Sequence, residues 1–410
     1  MSMADRSVPA TSRRATLGTC AGVHFVHDGF SDALYLLLPL WQAEFALTLT
    51  QVGVMKSLYS GAMALFQVPA GLLAERWGER KLLAMGTVLT GLAYMTLGLV
   101  EGHIALLLTL LVAGAGSAVQ HPLSSSVVSK AYEPHVRRAA LGIYNFSGDV
   151  GKVVIPLAVS VLIAGAGWRV GTASAGALGV AAGIAAFLVL RRLAVGSPPK
   201  PVDAAPLIES ESEPKSDTES RTSWGITDRF GFGVLSAIGF IDGAGRTGFL
   251  TFLPFLLIDL GAGVETIGVA LALVFSGGAA GKFVCGFLAQ KFGVIRIVVL
   301  TELITGGGIL LLLFLPLEGA LALLPIIGLG LNGTSSVLYG TVSDFVTEAR
   351  RARGFGLFYT VAIGGGAAAP MVFGMVSDSF GVTFALSAVA VLALSTIPLC
   401  ALLVRPLARL

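Results

Sequence analysis

GLLAERWGERK, residues 71–81, and GFLAQKFGVIR, residues 286–296, share two glycines and a Leu-Ala step in register, 215 residues apart. The same spacing separates two Leu-Pro steps, at Pro39 and Pro254. RRAALG, ending at Gly142, recurs as RRARGFG, ending at Gly356, an offset of 214. Landmarks that keep one offset across a chain of 410 residues indicate an internal duplication, with each copy one structural unit.

Each copy is strongly apolar. Hydrophobic residues make up 55% of the chain and charged ones 12%, about half the charge content of a soluble domain. Stretches of roughly 20 apolar residues, the length that crosses a bilayer, follow one another as about twelve spans. The first six are expected near 17–40, 51–74, 81–99, 104–128, 139–164 and 169–190. The second six are expected near 229–258, 265–289, 295–315, 319–343, 354–377 and 382–404. The 53 glycines suit helices that pack backbone to backbone in lipid. The predicted fold is therefore an all-α polytopic membrane protein of two pseudo-symmetric six-helix bundles, residues 17–192 and 229–410.

Charge sets the orientation. Arg13, Arg76, Arg80, Arg137, Arg191, Lys291, Arg296 and Arg405 fall between alternate spans, whereas the opposite loops carry Glu44, Glu101, Glu265 and Glu318 with one basic residue, Arg169. The positive-inside rule then places both termini in the cytoplasm of a cell inner membrane. Residues 1–16 read as a cytoplasmic tail with no apolar core before Leu17, so no cleaved signal peptide is expected. Residues 193–228, which include GSPPKPVDAAPLIESESEPKSDTESRTS, read as a disordered cytoplasmic linker joining the bundles. Cys20, Cys285 and Cys400 are widely spaced and suggest neither a disulfide framework nor a metal motif. A net charge of +3 gives no reason to expect nucleic acid.

The segment 71–81 resembles the loop signature of the major facilitator superfamily, and 286–296 its weaker second copy. The resemblance implies a gating loop of Gly71, Glu75, Arg76, Gly78, Arg80 and Lys81, where the glycines allow a tight turn and the cations cap facing helix ends. Glu75 stands where Asp is commoner, and Gln290 replaces it in the second copy. More narrowly, His24 and Asp28 in the first span and QHPLSSS, with His121, Pro122, Ser124 and Ser125, in the fourth are similar to the fosmidomycin-resistance-like transporters. That likeness implies proton-coupled drug efflux by antiport. The fifth span departs from the usual Gly-Pro of drug antiporters, having GDVGKVVIP with Asp149 and Lys152, which leaves import open.

The ionisable residues inside the spans carry the functional reading, because each costs about 2.5–3.5 kcal/mol at the bilayer centre on insertion scales. His24, Asp28 and Asp32 stand at i, i+4 and i+8, a ladder along one helical face that suits proton hand-off better than chelation of one ion. Alternatively His24 and Asp28 are a satisfied structural pair. His121 is expected at similar depth to His24, either in the solute cavity or backbone-bonded at a Pro122 kink. Asp149 and Lys152 (i, i+3) and Asp242 and Arg246 (i, i+4) can each self-neutralise. Arg246 also suits an anionic solute or a partnership with Asp32 across the halves, and Asn332 is a further polar cavity group.

These residues point to a secondary transporter working by alternating access. The expected partners are a small organic solute or drug, with an anion favoured by Arg246, protons as coupling ion, and the lipid bilayer. A monomer is expected from the resemblance, and no cofactor. The alternative is a carrier of a metal ion or chelate held by His24, His27, Asp28 and His121. No GxSxG, HExxH or GxGD site is present in the sequence, so an enzyme is not expected.

Overall fold

The computed structural model describes residues 10–197, 225–347 and 351–408; most of the expected linker lies outside them. Twelve membrane-crossing segments are formed by fourteen α-helices. The first half contains α1 (Ala10–Glu44), α2 (Leu49–Trp77), α3 (Glu79–Leu97), α4 (His103–Ser117), α5 (Gln120–Ala131), α6 (Pro134–Ala166) and α7 (Trp168–Arg192). The second half contains α8 (Arg229–Asp259), α9 (Val264–Phe292), α10 (Val294–Leu312), α11 (Leu317–Val342), α12 (Arg351–Phe380), α13 (Val382–Leu394) and α14 (Thr396–Leu407). Ten segments are long and apolar enough by themselves to cross a bilayer. The other two are α1, diluted by its His and Asp residues, and α3, which is 19 residues long with Glu79, Arg80 and Lys81 in its first turn.

Helix α1 begins at Ala10, within the stretch expected as a tail. The fourth and twelfth spans are each broken in two, at Ala118–Val119 and at Ser395. In both cases a proline, Pro122 or Pro398, stands at the third position of the second piece. There it has no N–H to give to the preceding turn, so the ladder of backbone bonds is interrupted before it.

The duplication is visible in the backbone. Gly78 closes α2 with φ +83°, and Gly293 closes α9 with φ +89°. Gly167 and Gly381 end α6 and α12 with φ +82° and +88°. These left-handed positions favour glycine, and each pair keeps the offset of the repeat. Gly71, by contrast, lies inside α2 with no atom within 4 Å of a Cβ position, so it makes no turn.

The halves meet at the acidic end. The Asp378 carboxylate on α12 accepts hydrogen bonds from Leu49 N (2.7 Å), Thr50 N (2.8 Å) and Thr50 Oγ1 (2.5 Å), capping the start of α2. Thr48 and Gln51 complete that cap as a capping box. Deeper in, Met371 N donates to Ser57 Oγ at 3.2 Å, and a Cβ on Gly53 would lie 2.0 Å from Pro370 O. Between α6 and α9, a Cβ on Gly268 would lie 2.1 Å from Ser160 Oγ. Among the described residues, the hydrogen bonds and ion pairs between the halves run from Asp378 to an Asp149–Lys282 pair at mid-depth, and none is found at the basic end. The described contacts therefore hold the halves together at the acidic end.

Asp378→Ala removes the acceptor of three of these cross-half hydrogen bonds, a carboxylate cap worth about 0.5–2 kcal/mol. The expected result is a new long-distance population between spin labels at Ala46 and Thr383, read by pulsed electron resonance. An unchanged distance distribution would show that this cap does not hold the halves together.

Candidate functional site

The site is centred on Asp28, which α1 presents toward α6 across a glycine contact. Gly148 makes this approach possible: a Cβ there would lie 2.6 Å from His24 Cε1 and 2.8 Å from Asp28 Oδ2. One turn on, a Cβ on Gly151 would lie 2.0 Å from the Phe25 carbonyl oxygen. With no side chain at either position, α6 lies directly on the polar face of α1.

Three histidines converge on one carboxylate oxygen. His24 Nε2 is 3.2 Å, His27 Nδ1 3.0 Å and His121 Nε2 3.7 Å from Asp28 Oδ1. The arrangement is a cluster rather than the expected ladder, because His27 folds across to its sequence neighbour and His121 arrives from α5. The His24 ring stacks on Tyr144 with centroids 4.2 Å apart, while His121 stands edge-on to His24 and His27. His24, Asp28 and His121 each offer a donor atom, all within 4.8 Å of one another.

Hydrogen-bond accounting fixes the His24 tautomer. His24 Nδ1 lies 2.8 Å from the Tyr144 carbonyl, which only accepts, so Nδ1 carries the hydrogen. Nε2 of a neutral ring would then present a lone pair to Asp28 Oδ1 at 3.2 Å, acceptor against acceptor. A proton on either group would turn that contact into a hydrogen bond; His24 Nε2 otherwise has no hydrogen-bond partner among the described residues. His24 and Asp28 are both buried and border a cavity.

From Asp28 a chain of charges crosses to the other half. Lys152 Nζ is 3.3 Å from Asp28 Oδ2 and 3.7 Å from Asp149 Oδ1. Asp149 Oδ1 in turn binds Lys282 Nζ on α9 at 2.6 Å. Asp149 and Lys152 are thus not a closed self-neutralising pair, since each has its shorter contact elsewhere. Asp242 and Arg246 also do not close an ion pair. Asp242 Oδ2 accepts from Ser335 Oγ at 2.7 Å, and Arg246 Nη1 donates to Asn332 Oδ1 at 3.4 Å.

Two adjoining cavities, about 230 Å³ and about 300 Å³, share Asp28, His121, Asp149, Lys152 and Arg246 as walls. Asp32 and Asn332 line the first, Lys282 the second. The structure makes prominent two residues not singled out above. Lys282 bridges the halves, and Lys56 points into the first cavity, its Nζ 4.3 Å from the Tyr35 ring centroid. Together four basic side chains (Lys56, Lys152, Arg246, Lys282) face three carboxylates (Asp28, Asp32, Asp149), so basic groups outnumber acidic ones on the walls.

In the loop segment, Arg80 Nη1 donates to the carbonyls of Leu190 (3.4 Å) and Val195 (3.3 Å), closing the C-terminal end of α7. Glu75, Arg76 and Lys81 are exposed and make no ion pair among the described residues. Glu79, which the sequence reading passed over, is buried and accepts hydrogen bonds from Ser126 and from Lys130 Nζ.

Gly148→Ala tests the α1–α6 contact. Overpacking costs typically 1–3 kcal/mol, so a lower melting temperature and a displaced His24–Asp28 pair are expected. Gly142→Ala is the control, with no atom within 4 Å of its Cβ position. Equal melting of both variants would contradict the close approach.

Comparison with known proteins agrees with this architecture. The family model described as Major Facilitator Superfamily matches residues 20–229 and 235–409. The chain is 24% identical over 367 residues to the hexuronate transporter of Bacillus subtilis, covering 85% of this chain and 84% of that one. It is 24% identical to the probable L-galactonate transporter of Escherichia coli, over 60% of this chain and 55% of that one. It is 28% identical to the fosmidomycin resistance protein of Escherichia coli, over 40% of each. Among solved structures, a bacterial homolog to the human lysosomal transporter Spinster superposes with TM-score 0.74 at 19% identity, over 98% of this chain and 96% of that one. A peptide transporter in complex with sulfate superposes with TM-score 0.78 at 15% identity, over 96% of this chain and 95% of that one. Fold, duplication and matched residues agree: the chain belongs to the Major Facilitator Superfamily.

Proposed function

We propose that this transporter moves a small organic anion by alternating access, coupled to protons through the His24–Asp28 pair. The observation that carries the anion is the surplus of basic side chains on the cavity walls, Arg246 and Lys56 above all, neither of which has a carboxylate within 4 Å among the described residues. Arginine offers a planar fork matched to a carboxylate. Two of the relatives carry sugar-acid anions in their names, which supports the same class.

The observation that carries the proton is the acceptor–acceptor contact between His24 and Asp28. Protonation there adds one positive charge to the cavity, and by linkage an anion that prefers the protonated cavity also draws the proton in. Anion and proton therefore bind together, and an inward proton gradient drives the anion inward. Efflux by antiport, which the likeness to the resistance transporter implies, requires instead a solute that displaces the proton. When Asp28 is neutral, Lys152 loses its 3.3 Å partner and turns toward Asp149, where it competes with Lys282. Loss of that cross-half pair would free α6 from α9.

In this reading the basic end faces the cytoplasm of the inner membrane and the transporter works as a monomer. A metal cargo at His24, Asp28 and His121 is disfavoured by the Lys152 ammonium already held on Asp28. The test is flux of labelled galacturonate into proteoliposomes with and without a pH gradient. Accumulation on the alkaline side supports proton–anion symport, accumulation on the acidic side supports antiport, and gradient-independent flux refutes coupling.

A further inference from the structure

Asp32 stands one turn beyond the proton pair, yet takes no part in it. Among the described residues its carboxylate makes no hydrogen bond and no ion pair within 4 Å, although it lines the same cavity as Lys56, Lys152 and Arg246. Each of those cations is engaged elsewhere. Lys56 Nζ lies 3.4 Å from the Ser31 carbonyl and over the Tyr35 ring, Lys152 is held by Asp28, and Arg246 by Asn332. The first cavity thus presents side chains of both signs with no ion pair among the described residues: Arg246 from one half, and Asp32 with Lys56, which is bound beside it at Ser31, from the other.

A simple anion would satisfy only half of this arrangement. It would pair with Arg246 and Lys56 while its apolar remainder displaced water from Asp32, leaving a buried carboxylate without donors. An anion that also carries hydroxyl groups satisfies both sides, because a carboxylate accepts two hydroxyl hydrogens at once. Asn332 and Thr247 line the same cavity and offer further polar contacts.

We infer that the solute is a polyhydroxylated carboxylic acid, its acid group held by Arg246 and Lys56 and its hydroxyls by Asp32, which makes Asp32 the specificity-determining residue. The inference rests on the anion reading above and narrows it. It also separates Asp32 from the coupling role that the i+4 spacing suggested.

The experiment compares galacturonate with hexanoate, a six-carbon acid without hydroxyls, by calorimetric titration of the full-length protein. The wild type should bind galacturonate about tenfold or more tightly than hexanoate, as expected for hydroxyl bonds to a charged acceptor. Asp32→Asn should erase most of that ratio by weakening galacturonate, with hexanoate affinity held or improved, and with gradient-driven transport still coupled. Asp32→Ser serves if the first variant does not fold. An unchanged ratio in the variant, or uncoupled transport with the ratio intact, overturns the assignment and returns Asp32 to the proton path. A wild type that prefers hexanoate overturns the inference while leaving the anion reading standing. A wild type that binds neither acid overturns the anion reading itself.

Discussion

Asp28→Asn leaves a folded protein that no longer concentrates its solute. A pH difference of one unit supplies about 1.4 kcal/mol per proton, enough for about tenfold accumulation of a solute moved with one proton. The wild type should approach that ratio in proteoliposomes. The variant should stop at equal concentrations on both sides while still exchanging labelled for unlabelled solute. Asparagine keeps the shape and still accepts from His27 Nδ1, which lies 3.0 Å from Oδ1. It cannot share a proton with His24 or hold the Lys152 charge. Lys152 retains Asp149 at 3.7 Å, so the charge left behind is not stranded, as it would be if a fully isolated buried pair were broken. Accumulation undiminished in the variant would remove Asp28 from the coupling step.

Arg246→Gln weakens binding of the anion without touching the proton pair. A charge-assisted hydrogen bond contributes about 1.5–3 kcal/mol, so the expected loss of affinity is roughly tenfold to a hundredfold. Arg246→Lys should recover only part of it, because an ammonium cannot present the paired donors of the guanidinium. Asp242 keeps its hydrogen bond from Ser335 in both variants, and thermal melting separates a binding defect from a folding one. Affinity for galacturonate equal to that of the wild type would exclude Arg246 from the anion site.

Much of the fold was legible because it rests on periodic and repeated signals. The twelve spans follow from stretches of bilayer length, and the duplication from landmarks such as Gly71 and Gly286. Gly78 and Gly293 then prove to be the left-handed helix ends that the repeat requires. The broken fourth and twelfth spans were not legible from hydropathy, since apolar character continues through Ala118–Val119 and Ser395; Pro122 and Pro398 were the available signs.

The site divides in the same way. His24 and Asp28 could be paired from their four-residue spacing alone. The Lys152–Asp28 and Asp149–Lys282 contacts could not, because they join helices far apart in sequence. Local spacing instead favoured the pairs Asp149–Lys152, which persists at 3.7 Å but shares its charges with Asp28 and Lys282, and Asp242–Arg246, whose members bond Ser335 and Asn332. Asp378 gave no sign of its role, since a carboxylate near the end of one helix does not say which other helix it caps.

The central claim is that anion binding draws a proton onto the His24–Asp28 pair. Its most direct test is the pH of a lightly buffered solution of purified protein when galacturonate is added. Proton uptake, seen as alkalinisation in the wild type and absent in Asp28→Asn, is the predicted result. Acidification, or no change of pH with binding confirmed by calorimetry, would contradict it.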